Sequence, residues 1–119
     1  MTDATKIHEL TPSEVHSAMQ RREIVLIDVR EPQEYVTERI HGALLFPLST
    51  FDAAALPTGG RPIVLHCGSG KRSAMAVAKC LDAGVPVNTH MKGGIQAWRH
   101  AHYPTVTIDP ATGAVVDKR

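Results

Sequence analysis

The sequence lacks a strong excess of charge of either sign, and this limits the partners that it could bind. Its 119 residues carry a formal net charge of +1 at pH 7, and no long acidic or basic run is present. Nucleic-acid binding depends on clustered lysine and arginine. We therefore expect no nucleic-acid partner, and no acidic run indicates a charged partner.

Long apolar runs are missing as well. No stretch approaches the roughly 18 apolar residues that are needed to cross a bilayer. The N-terminal sequence, MTDATKIHELTPSE, has neither the basic region nor the apolar region of a signal peptide. The sequence therefore predicts a cytoplasmic chain that does not contact a membrane.

Cysteine is scarce, with only Cys67 and Cys80 in the sequence. In a cytoplasmic chain a reactive thiol is a better expectation than a disulfide. The seven histidines are scattered, and the closest pair, His100 and His102, has no cluster of partners at metal-site spacing. We expect neither a bound metal nor another cofactor.

What the sequence does contain fits one soluble domain. Apolar residues make up 43% of the chain, which is enough to bury a real core. We interpret residues 1–119 as a single domain, because no repeat, low-complexity tract or second boundary is visible. Residues 105–119 are interpreted as a C-terminal tail, which is either a hairpin around residues 109–113 or frayed.

Short apolar runs alternate with helical patterns along the chain. Thr11, Pro12 and Glu14 form the capping pattern that starts a helix, and residues 24–27 are apolar on both sides, as in a sheet covered by helices. Strands that alternate with helices imply βαβ crossovers and a mostly parallel α/β sheet. The predicted strands are 24–28, 43–46, 63–66 and 87–91, and the predicted helices are 12–19, 31–38, 49–56, 73–81 and 94–101, the fourth with Ala74, Val77, Ala78 and Leu81 on its buried face.

Residues 67–73, Cys-Gly-Ser-Gly-Lys-Arg-Ser, join a predicted strand to a predicted helix and are the best candidate for a functional site. Ligands of open α/β sheets lie beyond the carboxyl ends of the strands. The first N–H groups of a helix point at whatever lies above them. Gly68 and Gly70 permit a tight turn, and Lys71 and Arg72 add positive charge.

Cys67 occupies the first position of this loop and is predicted to be a nucleophile. Backbone N–H dipoles and neighbouring cations stabilise a thiolate, so the pKa of this thiol should be lowered. The alternative is a buried structural cysteine before an ordinary glycine-rich turn. Cys80 lies within a helix and has no cationic loop around it, so a role as a small buried hydrophobic residue is favoured over that of a resolving thiol.

Three motifs occur in order over about residues 8–104. They are D-V-R-E at 28–31 with E-Y at 34–35 and I-H-G-A at 40–43; residues 67–72; and Gly93 and Gly94 followed by Trp98. These motifs resemble the first signature, the six-residue active-site loop and the closing signature of rhodanese domains. Two departures, Arg39 where the family often has histidine and His41 between the isoleucine and the glycine, lie outside the active loop.

The resemblance implies an α/β fold with a central five-stranded, mostly parallel sheet and helices on both faces. It also implies a sulfurtransferase. The Cys67 thiolate would take sulfur from an anionic donor such as thiosulfate, and the resulting persulfide would pass it to cyanide, glutathione or a protein thiol. The residues expected to bind the persulfide and its anionic donor are Gly68, Ser69, Gly70, Lys71, Arg72 and Ser73.

Four further residues are expected to have supporting roles. Asp28 and Arg30 end a strand and are expected to form an ion pair or support the loop rather than act in catalysis. His66 precedes Cys67, but adjacent side chains of a strand point to opposite faces, so it is expected to pack. Trp98 is expected to anchor the core under the loop.

Two other functions stay open. A phosphatase or arsenate reductase of the related dual-specificity type places five residues between its cysteine and its arginine. Only four separate Cys67 from Arg72, and Ser73 occupies the position of that arginine. The other alternative is a non-catalytic rhodanese-like module for binding or regulation, although the presence of Cys67 argues against it.

Overall fold

Short strands and helices alternate along residues 6–117, the part of the chain that this computed structural model describes. A helix between two parallel strands provides the crossover that such a sheet requires. In chain order the elements are β1 (His8–Leu10), α1 (Pro12–Gln20), β2 (Val25–Asp28), α2 (Pro32–Thr37), β3 (Glu38–Arg39), β4 (Leu44–Leu45), β5 (Ile63–His66), α3 (Lys71–Asp82), β6 (Thr89–Met91), α4 (Gly94–His100), β7 (Val106–Ile108) and β8 (Val115–Asp117).

Five strands form one parallel sheet in the order β1-β6-β5-β2-β4. This confirms the α/β fold and the five-stranded sheet. The sequence did not predict β1, because His8, Glu9 and Leu10 include a single apolar residue and lie, partly exposed, at the sheet edge. The central strand, β5, is buried along its whole length.

Side chains of the central strands alternate between two apolar cores, one on each face of the sheet. Ile27 and Leu65 pack on one face together with α3. Leu26 and Val64 pack on the other face together with α1 and α4, where Trp98 is the largest buried side chain. Helices therefore cover both faces, as expected from the continuous apolar run of β2.

The start of α1 follows the predicted capping pattern. The Thr11 hydroxyl accepts a hydrogen bond from the Glu14 N–H at 3.2 Å, and the Glu14 carboxylate accepts one from the Thr11 N–H at 2.9 Å. Such a cap stabilises a helix by about 1 kcal/mol. It fixes the beginning of α1, which then buries Val15 against the sheet.

The buried face of α3 differs from the predicted one. Ser73, Ala76, Val77 and Cys80 are buried, whereas Ala78 is exposed. Both the predicted and the observed sets have the helical spacing i, i+3, i+4, i+7. The prediction was wrong because it counted only apolar residues, while the true face includes a serine whose hydroxyl finds hydrogen-bond partners inside the protein.

The predicted helix over residues 49–56 is absent. This segment instead contains two short 3-10 turns, Leu48–Thr50 and Ala53–Ala55. The Asp52 carboxylate accepts a hydrogen bond from the N–H of Ala54 and so starts the second turn as a separate unit. The Asp52 carboxylate thus takes an N–H donor that a continuous helix would use for its own backbone hydrogen bonds. The apolar pattern of the sequence does not reveal this competition.

The tail forms the hairpin that was one of its two predicted states. β7 and β8 pair antiparallel around residues 109–113, and β7 also pairs with β3. The second helix, predicted over residues 31–38, is two residues shorter, because Glu31 is its N-cap and Glu38 belongs to β3. The Glu38 carboxylate accepts hydrogen bonds from Arg99 and from the Thr105 hydroxyl, both at 2.6 Å, which attach the tail. Residues 118–119 of the predicted tail lie outside the described residues.

Candidate functional site

The Cys67 loop, defined as residues 67–73, runs from the carboxyl end of β5 into the first turn of α3. Because β5 is the central strand, the loop lies at the middle of the sheet edge at which α/β proteins bind ligands. Cys67 itself has 0% solvent exposure, whereas Ser69 is exposed. The thiol therefore lies at the base of the loop.

Hydrogen-bond donors of the loop surround the Cys67 sulfur. The N–H groups of Gly70 and Ser73 donate to Sγ at 3.1 and 3.3 Å, and the thiol itself donates to the Ser73 hydroxyl oxygen at 3.5 Å. Gly70 reaches this position with a φ of +105°, which glycine adopts without strain. Burial by itself raises the pKa of the Cys67 thiol, but hydrogen bonds from Ser73, Gly70 and Ser69 outweigh it and leave the pKa below its usual value. The loop favours the thiolate.

The loop can direct its N–H groups inward because α4 binds its carbonyl groups. The N–H of Ile95 donates to the Cys67 carbonyl at 2.8 Å, and the N–H of Gln96 donates to the Gly68 carbonyl at 3.1 Å. These bonds also satisfy donors of the first turn of α4. Gly94 permits the approach, since a Cβ at this position would lie 2.5 Å from the Gly68 oxygen and closer still to the Cys67 oxygen.

Arg72 of the loop is paired with an acid. Its two terminal nitrogens donate to the two carboxylate oxygens of Glu34 at 2.8 and 3.0 Å. The hydrogen bonds and charge of Arg72 hold the pKa of the Glu34 carboxyl below its usual value, despite partial desolvation. Both side chains are therefore ionised, and their opposite charges cancel to a net charge of zero for the pair. Lys71, the other cation of the loop, is exposed at the start of α3.

Asp28 and Arg30 form a buried ion pair at the end of β2. A terminal nitrogen of Arg30 donates to Asp28 at 2.8 Å and to the Glu38 carbonyl at 2.6 Å. The pair thus connects β2 to β3. His66 is fully buried with Nε2 3.5 Å from Asp28, and burial lowers the pKa of its imidazole although Asp28 partly opposes this. His66 accordingly packs as a neutral ring.

His90 is a neighbour of the loop that the sequence analysis missed. Its Nδ1 lies 2.8 Å from the Ser73 hydroxyl, and its Nε2 lies 3.5 Å from the carboxylate of Glu9. A histidine near the carboxyl end of a strand was a usable signal, because parallel strands bring such ends to the same sheet edge. The strand that carries it, β6, lies beside β5.

Two other residues singled out from the sequence lie in the cores. Cys80 is fully buried in α3, and burial raises the pKa of its thiol to about 11. It is therefore far less reactive than Cys67. Trp98 is 2% exposed, and its indole N–H donates to the carbonyl of Pro104 at 2.8 Å. Trp98 is a core residue whose single polar group is satisfied.

Residues 6–117 contain neither a group of side chains suited to a metal ion nor a helix suited to a membrane. No group of three or more His, Cys, Asp or Glu side chains in this range is arranged to hold a metal ion. No helix in the same range is long and apolar enough to cross a membrane.

Several proteins are similar to this chain in sequence. An uncharacterized protein of Synechocystis is 39% identical over 98 residues, which cover 82% of this chain and 55% of that protein. A probable adenylyltransferase/sulfurtransferase MoeZ of Mycobacterium tuberculosis is 37% identical over 110 residues but is covered to only 28%. This chain thus spans about half or less of these two relatives. The thiosulfate sulfurtransferase GlpE of Stutzerimonas stutzeri is 30% identical, with 92% of this chain and 97% of that protein aligned.

The fold is also shared with solved structures. A rhodanese-related protein from Thermoplasma volcanium superimposes with a TM-score of 0.73 at 26% identity, covering 83% of this chain and 97% of that one. The Rhodanese-like domain family matches residues 11–101, a range that runs from the cap of α1 to the end of α4 and contains the Cys67 loop. The chain therefore belongs to the rhodanese-like domain family.

Proposed function

We propose that this chain is a sulfurtransferase that carries sulfur as a persulfide on Cys67. The observation that carries the proposal is the set of donors around the sulfur, above all the N–H groups of Gly70 and Ser73. Donors that stabilise a thiolate would stabilise the charge of a persulfide in the same way. The Stutzerimonas relative, which is named a thiosulfate sulfurtransferase and aligns over nearly its whole length, adds support.

The first step charges the enzyme with sulfur. The Cys67 thiolate attacks the outer sulfur of an anionic donor such as thiosulfate, and a new S–S bond forms. The S–S bond of thiosulfate breaks, and its electron pair leaves with sulfite. The N–H groups of residues 68–73 hold the persulfide anion. Lys71 offsets the charge of the donor and of sulfite, and Arg72 adds to this less strongly because Glu34 neutralises much of its charge.

The second step discharges the enzyme. Cyanide, glutathione or a protein thiol attacks the outer sulfur of the persulfide. The S–S bond to Cys67 breaks, and its electron pair returns to Cys67 as a thiolate. The partners are therefore a small sulfur donor and a small or protein-bound acceptor, and the persulfide is the only carrier that the cycle needs.

The loop supports sulfur transfer better than phosphate hydrolysis. Four residues separate Cys67 from Arg72, which makes a narrower loop than the phosphatase pattern. Arg72 is also engaged by Glu34 through two hydrogen bonds instead of pointing freely at a tetrahedral anion. A single sulfur atom suits this space and this charge balance.

Intact-mass analysis of the reduced protein, incubated with thiosulfate or with glutathione persulfide, tests the proposal. We expect a gain of one sulfur atom that maps to the Cys67 peptide and is removed by cyanide as thiocyanate. The Cys80→Ala variant should gain the same mass, because Cys80 lies buried in α3. No gain with either donor would overturn the proposal and favour a non-catalytic binding module.

Replacing Glu34 with glutamine should make thiosulfate a better donor. Glutamine can still hydrogen-bond Arg72, but it removes the negative charge that now neutralises the guanidinium. Both side chains are 35% exposed, so solvent screens their charges. We therefore expect the KM for thiosulfate to fall only about two- to fivefold at low ionic strength, and less in high salt.

The matched control for this change is Glu31→Gln. Glu31 precedes α2 and its carboxylate binds Ser49, so it contributes an acid from the same segment without touching Arg72. Steady-state kinetics of the two variants should separate a specific effect from a general one. An unchanged or higher KM in Glu34→Gln would show that the Glu34–Arg72 pair does not oppose donor binding.

A further inference from the structure

His90 is a buried histidine beside the Cys67 loop that the two transfer steps do not use. It is 3% exposed, and its Nδ1 lies 2.8 Å from Ser73 Oγ. Ser73 Oγ lies 3.5 Å from Cys67 Sγ. On the other side of the ring, Nε2 lies 3.5 Å from the carboxylate of Glu9, a residue whose side chain is 49% exposed. These contacts form one continuous chain of polar groups from the buried sulfur to the surface.

The direction of the hydrogen bonds in this chain follows from the groups at its ends. The negative charge of the Glu9 carboxylate, 3.5 Å from Nε2, favours the tautomer that carries its hydrogen on Nε2, so Nδ1 of the neutral ring is an acceptor. Ser73 then donates its single hydroxyl hydrogen to His90, which lies closer than its other acceptor, the Gly70 carbonyl at 3.2 Å. The Ser73 oxygen is left to accept from the Cys67 thiol. With a neutral thiol and a neutral imidazole, the hydroxyl of Ser73 therefore provides a hydrogen-bond partner for both groups.

A second arrangement of the protons gives Cys67, Ser73 and His90 hydrogen-bond partners when the sulfur is ionised. The S–H bond of Cys67 breaks and its proton passes to Ser73 Oγ, while the original hydroxyl hydrogen passes to Nδ1 of His90. The imidazolium now donates to Ser73, and Ser73 donates to the thiolate. No net charge enters or leaves the buried site, and the positive ring faces the Glu9 carboxylate.

We propose that His90 is a positioning residue that accepts the proton of Cys67 through the Ser73 hydroxyl and thereby extends the thiolate to lower pH. The proposal rests on Cys67 being the nucleophile of the proposed function. The charged and titratable groups that face the ring are Glu9 from β1 and, beyond Ser73 on α3, Cys67 at the end of β5.

The electrostatic surroundings of His90 suit an acceptor. Burial lowers the pKa of its imidazole, although Glu9 partly opposes this. The ring is therefore neutral at pH 7 before Cys67 ionises and is free to take a proton. Once the thiolate exists, its charge favours the imidazolium, so the two groups titrate as a coupled pair.

The His90→Asn variant tests the proposal, because asparagine can hydrogen-bond Ser73 but cannot hold a proton. The readout is the rate at which iodoacetamide alkylates the Cys67 peptide, measured by mass as a function of pH. We expect the acid limb of the profile to lie about one pH unit higher in His90→Asn than in the wild type, which is about a tenfold slower reaction on that limb. The two rates should converge at alkaline pH. Glu9→Gln should move the limb in the same direction by less.

His100→Asn is the matched control, since His100 is exposed at the end of α4. A second measurement avoids substitution of His90 altogether: NMR titration of its ring in the wild type and in Cys67→Ser. Coupling is reciprocal, so loss of the thiolate should lower the apparent pKa of His90.

Superimposable alkylation profiles for folded His90→Asn and the wild type would overturn the proposal. An unchanged His90 titration in Cys67→Ser would do the same, and it stays readable if His90→Asn fails to fold. Alkylation needs no sulfur donor. A result that rules out proton transfer from Cys67 to His90 is therefore distinguishable from a result that rules out persulfide formation.

Discussion

Replacing Cys67 with serine is expected to reduce sulfur transfer by about a thousandfold or more, to the background of the uncatalysed reaction. Serine has nearly the same shape and can keep the hydrogen bonds from the N–H groups of Gly70 and Ser73. Its hydroxyl does not ionise in the working pH range and cannot carry a transferable sulfur. Formation of thiocyanate from thiosulfate and cyanide measures the loss.

Cys80→Ala is the matched control for the loss of a buried thiol. Cys80 lies in the core of α3 with a raised pKa, so this variant should retain most of its turnover even if it is somewhat less stable. A Cys67→Ser variant that kept more than about a tenth of the wild-type turnover would contradict the assignment of the nucleophile.

The Cys67→Ser variant should also reveal the thiolate in the pH dependence of stability. The pKa of Cys67 is lowered in the folded protein, so ionised sulfur contributes fully to the free energy of unfolding above the ordinary thiol value of about 9. That contribution is lost as the pH falls through the lowered pKa of the folded state. The stability difference between wild type and variant should therefore increase as the pH is raised toward 9. Urea denaturation at several pH values measures it, and a constant difference would mean that the thiol stays protonated.

Replacing Gly94 with alanine is expected to lower the free energy of unfolding by about 2–5 kcal/mol, a large share of the roughly 5–15 kcal/mol that stabilises a typical domain. Gly94 has a φ of +60°, and its Cβ would lie 2.5 and 2.6 Å from the carbonyl oxygen and carbon of Gly68. Backbone atoms cannot rotate away as a side chain does. The loop and α4 must separate, which weakens the hydrogen bonds from Ile95 and Gln96 and should also reduce sulfur transfer.

Substitutions at two other glycines separate the backbone penalty of a positive φ from the steric clash of the new Cβ. Gly84→Ala places alanine at a φ of +71° with no atom within 4 Å of the new Cβ, so it measures the backbone penalty alone, about 1 kcal/mol. Gly59→Ala meets neither problem and should be close to neutral. Urea denaturation of the three variants would contradict the steric argument if Gly94→Ala lost no more stability than Gly84→Ala.

The position of Cys67 at the start of a loop between a strand and a helix could be predicted from the sequence, because its causes are local. A strand that ends just before Cys67, followed by glycines and a helix, places the sulfur beside the first N–H groups of that helix. The same holds for the start of α1, where Thr11 and Glu14 lie three residues apart. Both interpretations needed only short-range geometry.

The remaining parts of the site could not be predicted, because they come from distant segments. Glu34 and Arg72 are 38 residues apart, and His90 is 17 residues from Ser73. Only the packing of α2 and β6 around the loop brings these side chains together. The prediction for the buried face of α3 was wrong for a related reason. A serine is expected at the surface, and Ser73 is buried because its hydroxyl has hydrogen-bond partners in Cys67 and His90, which come from other elements.

The carbonyl groups of Cys67 and Gly68 find their partners only in α4, and this links the chemistry of the thiol to the order in which the chain is made. On the ribosome the loop is translated before residues 94–100. Until those residues fold against it, nothing directs its peptide groups, and the cysteine ionises like that of an unstructured peptide. A half-synthesised chain therefore carries an unactivated cysteine. The set of donors that favours the thiolate is complete only when nearly the whole domain has been translated.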